Sequence, residues 1–217
     1  VGSLSYRINR EEENLVEGIQ LISKYYPGFD PDSLYDKEKG EYYSLKMILN
    51  SLKEYDFYKE FLKISIFDYL IGNTDRHQSN WAILQSEAGI RLCPLYDNGS
   101  SLCCYLQESN LDSYLGNDKI RFQSLVNTKS RSRIRIDKYN KKEPTHLEVL
   151  KYLNGNYYDD VIDTVKTISY NVDESSVDSI LETYDGIMSK NRKAVIKKFL
   201  LEKVNLMEKV FNLGKGE

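Results

Sequence analysis

"IGNTDRHQSNWAIL", residues 71–84, places three amides, an aspartate and a histidine between two apolar runs. Polar groups gathered at the exit of a greasy segment need partners, because burying one without a hydrogen bond is costly. They imply either a turn satisfied by its own backbone or a site that holds something charged. The run before them, DFYKEFLKISIFDYLI (56–71), is apolar on nearly every face, the pattern of a helix at the centre of a domain, and it stops at Gly72. After them come WAILQ and GIRLCPLY, short runs rich in large apolar residues joined by SEAG, which read as a β-hairpin.

Outward from that centre the chain is mostly helical. Leu15, Ile19, Ile22 and Tyr26 recur at helical spacing, with Asn9 as a cap and Glu11, Glu12 and Glu13 in a first turn where the helix dipole favours acids, so a helix is expected over about 10–26. PGFDPDSLYDKEKGEYY (27–43) reads as loop, since prolines and glycines punctuate it. Leu45, Ile48, Leu49 and Leu52 mark a short amphipathic helix, 45–53. A helical bundle is expected over 150–213, with Val161, Val165 and Ile168 on one stripe, Val177, Ile180, Tyr184 and Ile187 on another, and a last helix ending near Gly214. The fold class is mainly α with a small β-hairpin, in a single domain over 1–217.

Composition excludes several classes. The 217 residues are 41% hydrophobic and 29% charged with a net charge of −3, ordinary for a globular domain. No stretch approaches the roughly 20 apolar residues of a membrane span, and VGSLSYRINREEE has neither the basic cap nor the apolar run of a secretory signal, so a cytoplasmic location is expected. Cys93, Cys103 and Cys104 are odd in number, with no CxxC pair or metal-ligand spacing, and are expected to be buried free thiols. The 18 tyrosines are read as packing.

Within the opening stretch, Asp75 and Asn80 stand five residues apart, and Asp97 in LYDNGSSL follows seventeen residues after Asn80, on the far side of the hairpin. A hairpin returns the chain, so Asp97 is expected beside Asn80. An Asp and an Asn converging offer hard oxygen ligands suited to a magnesium ion shared with substrate phosphates. Asp75 is then left to face a substrate, the arrangement phosphoryl transfer requires of one carboxylate and a pair of metal ligands. Arg76 and His77 are expected to orient the loop through its backbone or Asp97 rather than to act as bases. The plainer alternative is an Asx-rich turn, because Asn and Asp bond their own backbone.

FDYLIGNTDRHQSNWAIL followed by LCPLYDNGSSL resembles the catalytic core of HipA-like serine/threonine kinases, bacterial toxin-type kinases whose loop is written N-x-D-x-H-x-x-N and whose metal aspartate follows an apolar-Pro-x-Tyr stretch. The match is specific over residues 61–102. It implies that Asp75 is the catalytic aspartate, that His77 braces the loop, that Asn80 and Asp97 hold Mg2+ with ATP, and that the fold is the helical C-terminal lobe of a protein-kinase-like fold. Phosphatidylinositol kinases carry a similar D-R-H-x-x-N loop, and a non-catalytic interaction module on a kinase scaffold is a further alternative. The entry NTD and the continuation PLYDNG favour the HipA side.

The sequence also departs from that family. Before Asp75 there is no glycine-rich loop, strand series or lysine-bearing strand of the kind that covers ATP phosphates in a kinase N-terminal β lobe. That lobe is expected to be absent from these residues, which start VGSL without methionine and so read as a piece of a longer kinase, inactive alone; a separate partner supplying the lobe is the rival. Expected partners are a protein substrate and an antitoxin, with no membrane and no nucleic acid except through a partner. Finally, KIRFQSLVNTKSRSRIRIDKYNKKEPTH (119–146) is a basic block in an acidic chain. It reads as a solvated loop, as a surface for an acidic substrate, tRNA or nucleic acid, or, as its position after Asp97 favours, as an activation-type segment with Ser124, Thr128, Ser130 and Ser132 as phosphorylatable hydroxyls.

Overall fold

The computed structural model describes residues 7–116 and 118–214; residues 1–6, which begin the stretch read above as carrying no secretory signal, lie outside them. The elements in order are β1 (Asn14–Glu17), α1 (Gly18–Tyr25), β2 (Phe29–Asp30), β3 (Tyr35–Asp36), β4 (Glu41–Tyr42), α2 (Leu45–Leu52) and α3 (Tyr58–Ile71). The hairpin β5 (Ala82–Ser86) and β6 (Gly89–Leu92) comes next, then α4 (Asp112–Leu115) and α5 (Lys119–Asn127). The chain closes with α6 (His146–Asn156), α7 (Tyr158–Asn171), α8 (Glu174–Glu182) and α9 (Lys190–Val210).

The apolar run 56–71 becomes α3, and it is buried nearly all round, with α2, α6, α7 and α9 packed on it. Phe61, Leu62, Ile66 and Tyr69 are fully enclosed. The helix ends because Gly72 adopts φ +66°, and no side chain fits there: a Cβ would lie 2.7 Å from Phe199 Cζ on α9. Trp81, directly after the polar loop, fills the space between α3 and α1. Its ring meets Phe61 edge-on at 5.2 Å, and its Nε1 donates to the Tyr43 hydroxyl at 2.9 Å. The polar loop is therefore strung between two anchors, Gly72 and Trp81.

Several expectations are corrected. The helix expected over 10–26 begins only at Gly18, because residues 14–17 form β1 and pair antiparallel with β5, Leu15 opposite Leu84 and Glu17 opposite Ala82. Glu13 serves no helix dipole: both its oxygens take Arg91 of β6 at 2.7 Å. The hairpin is thus part of a three-stranded sheet, β1-β5-β6, and the expected loop 27–43 holds a second small sheet, β2-β3-β4. In α8 the buried pair is Val177 with Leu181, which leaves Ile180 on the exposed face, and Tyr184 and Ile187 lie exposed beyond the helix end at Glu182. The last helix ends at Val210, with Asn212 left-handed at φ +52°, before Gly214 is reached. Of the three free cysteines Cys93 is buried, but Cys104 is exposed.

Only part of the basic block, the mostly exposed stretch 137–142, is a solvated loop. The block's first part is helix α5, and residues 130–135 are threaded through the fold with Ser130, Ser132 and Ile134 buried. Ser132 N donates to Pro144 O, and Arg135 N to Tyr43 O. Burial removes Ser130 and Ser132 from the hydroxyls open to modification.

Candidate active site

Asp68, the one acid in the last turns of α3, is nearly fully buried, and its partner is Arg76 of the polar loop. Arg76 Nε and Nη2 each bond one carboxylate oxygen, at 3.0 and 2.8 Å. Burial pushes the Asp68 carboxyl up, but Arg76 and the Asn73 amide oppose it. With a guanidinium on both oxygens, the pair is ionised.

The rest of that guanidinium assembles the site. Its Nη1 donates to the carbonyls of both Asn80 (2.8 Å) and Tyr96 (3.0 Å), and Nη2 also reaches Asn98 Oδ1 (2.6 Å). One buried arginine therefore ties Asn80 to the residues on either side of Asp97. Asp97 itself is exposed and left-handed at φ +50°, a conformation Asp tolerates better than most residues but one uncommon outside glycine. Thr74 N donates to Ser100 O (3.0 Å) and Leu102 N to Ile71 O (2.8 Å), lashing the segment after Asp97 to the loop.

Asp75 lies between. Its backbone N donates to Asn73 Oδ1 (3.1 Å), an Asx turn, so the plainer turn chemistry is present inside the loop as well. Its carbonyl accepts from Asn80 Nδ2 (2.8 Å), which leaves Asn80 Oδ1 with no hydrogen bond among the described residues. The carboxylate, about one third exposed, takes Arg133 Nε at 3.2 Å. His77 Nδ1 accepts from Ser79 N at 3.2 Å, so the imidazole braces the loop's own backbone while Arg76 holds the Asp97 side.

A second brace comes from beneath. His146 Nε2 contacts Asn73 O at 2.9 Å, and since a carbonyl can only accept, Nε2 carries the proton. Burial, and then the charge of Lys203, hold the imidazole neutral, with its pKa down at about 3. Nδ1 therefore accepts from Ser130 Oγ (2.8 Å), and Ser130 accepts from Lys203 Nζ (2.9 Å) on α9. A single chain of hydrogen bonds runs from α9 to the backbone two residues before Asp75.

The oxygen donors suit magnesium. Among the described residues no cluster of three or more His, Cys, Asp or Glu could cage a metal, but magnesium keeps water and substrate oxygens and needs only one or two protein ligands. Asn80 Oδ1 and the Asp97 carboxylate, both without hydrogen-bond partners among the described residues, offer those two.

The sequence pattern of the HipA-like C-terminal domain matches residues 19–151, which contain every group described above except Lys203. The chain belongs to that family. The crystal structure of a Helicobacter pylori proinflammatory kinase, CtkA, matches with a TM-score of 0.74 at 20% identity, over 93% of this chain and 71% of that one. At that identity the likeness is one of fold, and it shows a kinase-like fold. No curated protein matches. In this HipA-like domain Arg76 ties the backbone of Asn80 to Tyr96 and Asn98, the neighbours of Asp97. Asp68, Arg133, His146 and Lys203 escaped sequence reading. Asp68 had left a signal, since a carboxylate on an all-apolar helix must find a buried cation.

Proposed function

We propose that this HipA-like protein is an ATP- and Mg2+-dependent serine/threonine protein kinase. The observation that carries the reading is Arg76, whose one guanidinium locks the Asn80 and Asp97 segments together, with Asp75 directly before it on the same loop. Such rigidity is what phosphoryl transfer asks of a protein, because its catalysis is mostly positioning and electrostatics. In this reading Asp75 orients the attacking hydroxyl and accepts its proton. Asn80 Oδ1 and Asp97 hold the magnesium, and the metal neutralises charge on the phosphates. His77, bonded to Ser79 N, keeps the loop in shape.

A groove of about 740 Å³ opens beside Asn98 and Gly99 and runs to Ile187 and Arg192. The adenine and the α and β phosphates would be held by a β-rich lobe outside residues 7–214, since none of β1–β6 carries a glycine-rich loop. Among the described residues no helix is long and apolar enough to cross a membrane. An antitoxin partner belongs to the same proposal.

The test is transfer of radiolabelled phosphate from Mg-ATP, by the full-length protein with its nucleotide-binding lobe included, to the protein itself, to mixed protein substrates and to phosphoinositide vesicles. Label is expected on protein serine or threonine and is lost in Asp75→Asn. Label on lipid alone would establish the lipid-kinase alternative, and no label on either would leave an interaction module.

A further inference from the structure

The basic segment contributes one side chain to the site that the phosphoryl-transfer scheme above leaves without a task. Arg133 lies 58 residues beyond Asp75, yet its Nε bonds Asp75 Oδ1 at 3.2 Å. Its Nη1 bonds Glu143 Oε1 at 2.9 Å. Its Nη2 has no partner among the described residues, and the side chain is 42% exposed. The backbone beneath it is fixed, because Ser132 and Ile134 are buried on either side and Ile134 N donates to Ser132 Oγ at 3.1 Å. A guanidinium pinned at two nitrogens and free at the third presents a donor to whatever sits beside Asp75.

Geometry says what that is, if the kinase reading above holds. A hydroxyl giving its proton to Asp75 stands within about 3 Å of the carboxylate. The phosphorus it attacks lies roughly 3–3.5 Å further on. The first distance is measured from the carboxylate that Arg133 already touches and the second from the hydroxyl beside it, so a non-bridging oxygen on that phosphorus can come within reach of Nη2. We propose that Arg133 is a catalytic residue that donates to the γ-phosphoryl group as it passes from ATP to the hydroxyl. In the step, the hydroxyl oxygen forms a bond to the γ phosphorus and its proton goes to Asp75. The bond from that phosphorus to the β–γ bridging oxygen breaks, and ADP leaves with the electron pair. Arg133 takes no proton; its charge offsets the charge on the equatorial oxygens, from a position set before substrate arrives. Glu143 keeps the guanidinium from collapsing fully onto Asp75.

The same contact could instead be a latch that occupies Asp75 and holds the enzyme off, and the two readings differ in sign. Initial rates of transfer over a range of Mg-ATP concentrations are compared in the full-length wild-type protein, Arg133→Lys and Arg133→Ala. The alanine variant is expected to lose about 10²–10³ in kcat, the usual scale for removing one such donor, with KM for Mg-ATP nearly unchanged. Lysine restores part of the rate, and added guanidinium ion rescues the alanine variant alone. In parallel, the Arg133 Nε resonance, assigned by its loss in Arg133→Lys, should move with Mg-ATP and stay with Mg-ADP. An alanine variant as active as wild type, or more active, overturns the proposal. Should wild type transfer no phosphate, the kinase reading fails on its own; a resonance that still moves with Mg-ATP then supports the anion contact, and an unmoved one removes it too.

Discussion

Arg76 and Asp68 meet through two bonds, of 2.8 and 3.0 Å, at a depth where their side chains are 1% and 5% exposed. The pair joins the core helix to the candidate site, so stability and function pass through the same guanidinium.

Breaking that pair leaves Asp68 as an uncompensated buried charge. Arg76→Met is therefore expected to cost about 3–5 kcal/mol, readable by urea titration. The double variant Arg76→Met/Asp68→Leu should recover much of that loss, since an apolar pair of similar volume often replaces a buried ion pair at little cost. It should recover no activity, because nothing then ties Asn80 to Tyr96 and Asn98. A single variant costing less than about 1 kcal/mol would mean the pair is solvated or already neutral.

What could be read in advance followed local periodicity. Phe61, Leu62, Ile66 and Tyr69 announce α3 by being apolar on every face, and the polar run between Gly72 and Trp81 announces a loop with chemistry. Residues 14–17 misled because Leu15, Ile19 and Ile22 keep helical spacing across a strand-to-helix junction. The strand exists only because β5, far along the chain, pairs with it. Arg133 is illegible for the same reason. In sequence it is one arginine among several, and its meeting with Asp75 depends on Ser132 and Ile134 being drawn into the core.

Lys203 sets a pH dependence. It is fully buried, with Ser130 Oγ at 2.9 Å and the Tyr69 and Phe199 rings around it, and burial brings its pKa down to about 7. Between about 7 and the ordinary 10.5 the unfolded chain holds a proton that the folded chain has released. Stability therefore rises with pH through that window, by up to roughly 5 kcal/mol, and the full penalty stands below it. His146 acts alike further down: stability is complete above 6.5 and falls as pH drops toward about 3. Lys203→Met should flatten the dependence of stability on pH between 7 and 9.5 and raise stability at pH 6. Denaturant melts across that range check it, and an undiminished slope in the variant would place the titration elsewhere.

Asp97 allows the working group to be separated from the backbone that carries it. At φ +50° its conformation suits glycine, and for an alanine the left-handed region costs about 1–2 kcal/mol. Glycine's greater freedom in the unfolded chain returns about 0.4–1 kcal/mol of that difference. Asp97→Ala should thus be less stable than Asp97→Gly by roughly 0.5–1 kcal/mol, and Asp97→Gly should melt near wild type, because the exposed carboxylate makes no hydrogen bond among the described residues. Under the proposed assignment both variants remove the same metal ligand, so both should lose phosphoryl transfer to the same extent, by several orders of magnitude. Thermal melts and transfer assays on the pair give two independent readings. If activity followed the stability order, with Asp97→Gly active, Asp97 would matter for the shape of the turn and the magnesium would have to be held by other oxygens.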